Sequence, residues 1–205
     1  MKIYHSQHTR GFRIIWLCEE LCIPYELVTV DFSKANRFSE DFLKISPLGK
    51  LPVLKLEDGL IYESSAMMQT ILDAAPENSL QPERGTFAYA KFLQWLWFSE
   101  ATLMRPVGEV VNHKREFGKK NYIDAVISEM QGRVEKCLAV LNLELVSKEY
   151  ILGGTFSAAD ISLGYTLDIT KRVLKRDFET HLERYFKLIT SRSAFSKSKS
   201  VEENV

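Results

Sequence analysis

Two cysteines, Cys18 and Cys22, lie four residues apart in a segment with helical periodicity, so their side chains share one helix face. Thiolates at this spacing could bind zinc or carry out redox chemistry. A structural zinc ion needs four ligands, however, and no further His or Cys lies close by in the sequence. We therefore expect Cys18 to be a buried packing residue. With Cys137 the chain has three cysteines, an odd and sparse set that fits a reducing compartment rather than a disulfide framework.

Hydroxyl side chains stand before three predicted helices. Ser64, after Glu63, is a natural N-cap, and the N–H groups of a helix start can bind a carboxylate. Ser157 and Asp160 form the Ser-x-x-Asp variant of a capping box, a structural role. Thr9 lies between a predicted strand and a predicted helix. By its position alone, Thr9 could be a helix N-cap or could present its hydroxyl to a ligand.

The elements that position these residues form an alternating pattern in the first 77 residues. Apolar alternation predicts strands at 2–5, 26–30, 52–56 and 60–62, and helical periodicity predicts helices at 14–21, 39–45 and from 64 onwards. Asp58-Gly59 is a hairpin turn signal between the last two strands. A parallel βαβ half followed by a hairpin and a helix predicts an α/β thioredoxin-like domain over residues 1–77.

Strand signals end near Pro82, and residues 74–84 form a predicted linker. Apolar residues then recur every three or four positions from Ile123 to Leu145, as in a helix bundle. We therefore predict an all-α domain over residues 84–205. The polar tail, 196–205, is expected to be frayed.

The composition excludes several classes of protein. The chain carries 27 basic and 27 acidic residues, whereas a nucleic-acid-binding protein usually has a basic excess. We expect no membrane span, because no stretch of ~18 apolar residues occurs. The N-terminal residues also lack the apolar core of a signal peptide. The expected location is therefore cytoplasmic.

Four segments, in order, resemble the glutathione transferase family, and together they cover nearly the whole chain. They are 13–26, similar to the first helix and the entry to the second strand; 46–54, similar to the loop with the family's cis-proline; Glu63-Ser64; and 154–160, similar to the capping motif of a buried helix. The resemblance implies a thioredoxin-like domain that binds glutathione as co-substrate, followed by the all-helical domain.

In the serine-type classes of this family, the catalytic hydroxyl lies four residues before the arginine that opens the first helix. Counting back from Arg13 gives Thr9, where those classes usually have serine. Ser6 is the alternative donor. The implied role of either hydroxyl is to stabilise the glutathione thiolate.

The resemblance also implies how glutathione is held. A cis bond between Leu51 and Pro52 would turn the Leu51 backbone towards the cysteinyl part of the tripeptide, which would pair with it like an added strand. Glu63 and Ser64 would hold the γ-glutamyl end, and Lys50 the glycyl carboxylate.

The resemblance places the pocket for a small hydrophobic electrophile on the second domain, with one or two of Trp97, Phe98, Met104 and Arg105 as lining residues. It further implies a homodimer. Two alternatives stay open. The chain could be another glutathione-dependent enzyme, such as a peroxidase, isomerase or dehalogenase, or it could be a noncatalytic binding or scaffold protein, because one fold serves several functions.

Overall fold

The computed structural model describes residues 1–77, 79–175 and 177–204, apart from the side chains of Lys119 and Lys120. The chain divides into two compact units. The first comprises Met1–Asn78 together with Ser191–Val205, and the second comprises Ser79–Thr190.

The first unit has the predicted order of strands and helices. Its elements are β1 (Lys2–His5), α1 (Gly11–Leu21), β2 (Glu26–Thr29), α2 (Lys34–Arg37), α3 (Glu40–Ile45), β3 (Val53–Lys55), β4 (Leu60–Ile61) and α4 (Ser64–Ala74). The short helix α2 was not predicted. It is capped locally, because the Ser33 hydroxyl accepts a hydrogen bond from the Asn36 N–H.

The four strands form one mixed sheet in the order β2-β1-β3-β4. β1 runs parallel to β2, with Ile3 opposite Leu27, and antiparallel to β3, with Tyr4 opposite Val53. β3 and β4 are antiparallel, with Leu54 opposite Ile61. The thioredoxin-like prediction for this unit is confirmed.

The register brings three connections to the same end of the sheet. β1 ends at this end of the sheet, β3 begins there, and β4 ends there. The same end of the sheet therefore holds the loop after β1, the residues just before β3 and the start of α4.

Helix α1 is the buried helix of this unit. Ile14, Ile15, Leu17 and Cys18 are completely inaccessible to solvent. The complete burial of Cys18 confirms the prediction that it is a packing residue. Burial also raises the pKa of its thiol to about 12, which disfavours the thiolate. Cys22 ends the helix in the left-handed conformation, with φ of 54°.

The second unit is helical in the residues that the structure describes, which confirms the predicted all-α fold class of this part of the chain. Its elements are α5 (Phe87–Trp97), a π-helical segment (Phe98–Met104), α6 (Arg105–Asn121), α7 (Asp124–Glu144), α8 (Ala158–Leu174) and α9 (Thr180–Thr190). Helix α6 is kinked at Gly118, where φ is 64°. None of the helices described in either unit combines the length and the apolar character needed to cross a membrane.

The start of α8 is organised around a buried carboxylate. Asp160 is fully inaccessible, and its two oxygens accept hydrogen bonds from the Ile151 N–H, the Ser157 N–H, the Ser157 hydroxyl and the Tyr185 hydroxyl. The Ser157–Asp160 pair therefore forms the predicted capping box, and it also ties α8 to α9.

The final helix, α10 (Ser193–Glu203), belongs to the first unit. The prediction of a frayed tail over 196–205 is wrong up to Glu203. Phe195 packs edge-on against Trp16 and Phe12 of α1, with ring centroids 4.8 and 5.6 Å apart. Arg192 binds the Glu20 carboxylate through two hydrogen bonds of 2.7 Å. Helical periodicity is weak in this polar segment, so only the packing of its apolar residues on α1 reveals it.

Candidate functional site

The loop from Ser6 to Arg10 connects β1 to α1 and is held tightly to both. The backbone N–H and the side-chain hydroxyl of Thr9 both donate to the Ser6 carbonyl oxygen, at 3.2 and 2.8 Å. A Cβ atom on Gly11 would lie 2.3 Å from Nδ1 of His5. Only glycine therefore allows the start of α1 to approach the end of β1 this closely.

Thr9 is buried, and its hydroxyl has partners inside the chain. Besides its bond to Ser6, Oγ1 lies 3.1 Å from His5 Nδ1. Helix α1 has Arg10 as its N-cap and no side-chain cap hydrogen bond. The structure thus does not support the alternative that Thr9 is a helix cap. The half-buried hydroxyl of Ser6 has no partner among the described residues.

The second part of the site is the start of α4. Ser64 is 3% exposed, and its hydroxyl accepts a 3.0 Å hydrogen bond from Nη1 of Arg13, which is completely buried in α1. The exposed Glu63 has a positive φ of 68°, a conformation that costs a non-glycine residue about 1–3 kcal/mol. Strain of this kind clusters at ligand sites.

Two residues near α4 were not predicted as site residues. Arg13 fixes the Ser64 hydroxyl. The sequence contains a signal for this role, because Arg13 is a charged residue within the buried apolar run of α1. Ser65 has a buried Oγ with no hydrogen-bond partner among the described residues. A buried hydroxyl without a partner has no signal in the sequence, because it depends on which groups surround it.

The third part is the connection into β3. The Ser46 hydroxyl donates to the Lys50 carbonyl oxygen at 2.7 Å and accepts from the Lys50 N–H at 2.9 Å. The peptide bond between Leu51 and Pro52 is cis. Leu51 is 9% exposed, yet its backbone N–H and C=O have no partner among the described residues. Nearly all buried backbone polar groups are paired in proteins, so the Leu51 N–H and C=O are available to a ligand. Lys50 itself is exposed.

The predicted pocket residues of the second unit differ in their exposure. Trp97 is 51% exposed and Arg105 is exposed, whereas Met104 is 5% exposed. Phe98 is partly buried, with its ring edge-on to Trp95 at 5.2 Å. Exposure therefore favours Trp97 and Arg105 over Met104 for contact with a ligand.

Comparison with known proteins agrees with this architecture. Residues 4–79 match the model of the glutathione S-transferase N-terminal domain, and residues 124–196 match that of the C-terminal domain. The chain belongs to the glutathione transferase family. The predicted family and fold are thus confirmed.

Within the family, the chain is similar to proteins with different names. Glutathione S-transferase 3 of Schizosaccharomyces pombe is 28% identical over 98% of this chain and 88% of its own length. Elongation factor 1-gamma 2 of Oryza sativa is 26% identical over 94% of this chain, which spans only 46% of that protein. The glutathione transferase URE2P8 of Phanerochaete chrysosporium, solved with oxidized glutathione, superposes with a TM-score of 0.87 over 99% of this chain and 95% of its own. The two sequences are 23% identical, so the comparison shows a shared fold.

Proposed function

We propose that this chain is a glutathione transferase that conjugates the glutathione thiolate to small hydrophobic electrophiles. The observation that carries the proposal is the buried Leu51 backbone, whose N–H and C=O lack partners among the described residues. An extended peptide can add to such groups as a strand. The cysteinyl unit of glutathione is a peptide of this kind.

The sheet register supports the remaining contacts. The start of α4 lies at the same end of the sheet as Leu51. The N–H groups of a helix start, with Ser64, suit the γ-glutamyl carboxylate. Glu63 is exposed and suits the γ-glutamyl ammonium, and the exposed Lys50 suits the glycyl carboxylate.

The thiol must be ionised to react, because the thiolate is the nucleophile. With an ordinary pKa of about 8.5, only ~3% of the thiol is ionised at pH 7. Lowering this pKa by about 1.5 needs ~2 kcal/mol of differential stabilisation. One hydrogen bond to a charged group is worth ~1.5–3 kcal/mol, so a single hydroxyl donor is sufficient.

Thr9 is the proposed donor, and Ser6 is the alternative. To donate to the sulfur, the Thr9 hydroxyl must break its hydrogen bond to the Ser6 carbonyl oxygen. That oxygen still accepts the hydrogen bond from the Thr9 N–H. Bringing the thiolate and the electrophile together supplies the rest of the rate enhancement, with no covalent enzyme intermediate. Among the four predicted electrophile contacts, we favour Trp97 and Arg105 because they are exposed.

The test is conjugation of a model aryl halide by the wild type, Thr9→Ala, Ser6→Ala and the double variant. Thr9→Ser is the matched control, because it keeps a hydroxyl and removes only a methyl group. We expect a loss of roughly 10–100-fold in the variant that removes the donor, from ~1.5–3 kcal/mol, and near-wild-type turnover in Thr9→Ser. Unchanged turnover in the double variant would refute the mechanism, and no glutathione binding at millimolar concentration would refute the function.

We further propose a homodimer, as the family resemblance implies. Light scattering after size exclusion should give about twice the 23.6 kDa chain mass. A particle with the mass of one chain would contradict this proposal.

A second candidate function is a noncatalytic binding module. The observation in its favour is the similarity to elongation factor 1-gamma 2 over 94% of this chain. Immobilised glutathione distinguishes the two candidates. A transferase is retained and eluted by free glutathione, whereas a chain that passes through unretained and conjugates no aryl halide supports the binding module.

A further inference from the structure

His5 and Glu202 form a buried polar contact between the two ends of the chain. His5, the last residue of β1, is completely inaccessible, and Glu202 of α10 is 4% exposed. The imidazole lies between a hydroxyl and a carboxylate. Its Nδ1 is 3.1 Å from Thr9 Oγ1, and its Nε2 is 3.7 Å from Glu202 Oε1.

Glu202 also binds the loop that carries Thr9. Its Oε1 accepts a 2.9 Å hydrogen bond from the His8 N–H, and its backbone carbonyl accepts one from Gln7 Nε2 at 3.1 Å. His8 has a positive φ of 63°, which a non-glycine residue adopts only when its surroundings hold it. The carboxylate supplies such a restraint one residue before Thr9.

Hydrogen-bond distances assign the ring proton of His5. The Thr9 hydroxyl has one hydrogen, and its 2.8 Å distance to the Ser6 carbonyl oxygen is that of a good O–H donor. Towards His5, therefore, Oγ1 is an acceptor, and the ring proton lies on Nδ1. Nε2 then carries the lone pair, in agreement with its lack of a hydrogen-bond partner among the described residues.

The charges around the ring are consistent with a neutral imidazole. Burial, with a smaller contribution from His8, lowers the pKa of His5 to about 4. A base this weak does not remove the proton of a thiol with an ordinary pKa of about 8.5. The Glu202 charge draws the ring proton towards Nε2, but the His8 N–H and Lys199, whose Nζ is 3.7 Å from Oε2, partly neutralise it.

We propose that His5 and Glu202 are positioning residues for Thr9. Glu202 holds the loop through the His8 N–H, and His5 donates its Nδ1–H to Thr9 Oγ1. A hydroxyl that accepts this bond still carries its own hydrogen, which can turn from the Ser6 carbonyl to the sulfur, and donors in such a chain polarise one another. The inference rests on the proposed function and assigns the second partner of the Thr9 hydroxyl.

The test measures the thiol pKa of bound glutathione from thiolate absorbance in the ultraviolet as pH is varied. His5→Leu removes the donor, and we expect a thiolate fraction at pH 7 about 3–10-fold lower, from lost polarisation and a misplaced hydroxyl. His5→Asn restores a donor and should recover part of the loss. Affinity for S-methylglutathione, which has no thiol, should stay within about twofold, because a positioning effect on Thr9 acts only on the sulfur.

Glu202 variants separate the carboxylate's charge from its hold on the loop. Glu202→Gln still accepts the His8 N–H through its amide oxygen and removes the negative charge that draws the ring proton towards Nε2, which favours the proton on Nδ1. We expect a thiolate fraction equal to or above that of the wild type. Glu202→Ala loses the side-chain contact with the His8 N–H and should lower the thiolate fraction, whereas Glu203→Ala, at an exposed neighbouring residue of α10, should not.

The outcomes distinguish the two proposals. If wild-type protein binds glutathione and ionises it, but His5→Leu and Glu202→Ala ionise it equally well, this inference is overturned and the proposed function stands. A large loss in Glu202→Gln would also overturn it, since that result requires the charge rather than the contact. If the wild type binds neither glutathione nor S-methylglutathione, the proposed function itself fails.

Discussion

Replacing Asp160 with alanine should destabilise the second unit more than any conservative change at its surface. The carboxylate is fully buried and accepts four hydrogen bonds, from Ile151, Ser157 and Tyr185. Three of these donors, the two backbone N–H groups and the Tyr185 hydroxyl, are held by the surrounding chain. Only the Ser157 hydroxyl can readily rotate to another partner.

The magnitude follows from these donors. Each buried donor left without a partner costs ~1–3 kcal/mol, so three cost roughly 3–9 kcal/mol. Burial raises the pKa of Asp160, which means that the buried charge is itself unfavourable and that its removal offsets part of this cost. We expect a net loss of about 3–5 kcal/mol, the range found when one member of a buried ionic network is removed.

The assay is urea unfolding followed by circular dichroism and tryptophan fluorescence. The matched control is Asp168→Ala on the same helix, because Asp168 pairs with Arg172 one turn away and that pair is partly exposed. The control should lose less than about 1 kcal/mol. If the two variants unfold at the same urea concentration, the Asp160 network does not stabilise the fold as we argue.

Three further variants test other parts of the structure. The folded-state pKa of His5, about 4, lies below its ordinary value of 6.5, so its contribution to stability is complete above pH 6.5 and is lost as the pH falls towards 4. Chemical unfolding at pH 7 and pH 4 should show a wild-type loss about 3 kcal/mol larger than that of His5→Gln; equal losses would contradict the assignment. Phe195→Ala should lower the free energy of unfolding by ~2–4 kcal/mol, because it removes the packing of α10 on Trp16; a change below about 0.5 kcal/mol in urea melts would mean that α10 does not stabilise the first unit. Arg13→Lys should cost ~1–3 kcal/mol by leaving Ser64 without its donor, and a melt matching that of Lys2→Ala, a surface pair with Glu26, would argue against a structural role for the guanidinium.

The sequence alone was sufficient for the order of the four strands and of helices α1, α3 and α4 in the first unit. The strands of that unit are short, Pro24, Pro52 and Gly59 lie at or just before the starts of β2, β3 and β4, and α1 carries a dense apolar stripe, so local patterns determine their type. The capping box at Ser157 and Asp160 was equally readable, because it depends on residues three apart. The position of Cys18 inside the helix also follows from periodicity, and its burial agrees.

Tertiary structure decided what the side chains contact. Helix α10 has a polar sequence, and its helical state depends on Phe195 and Arg192 meeting α1 from the far end of the chain. The partners of Thr9 are likewise set by packing. Its hydroxyl binds Ser6 and His5, and the adjacent His8 N–H donates to Glu202, which lies 194 positions from His8 in the sequence. Local propensity acts over about one turn of chain, whereas hydrogen bonding inside a core depends on which distant segments are folded against each other.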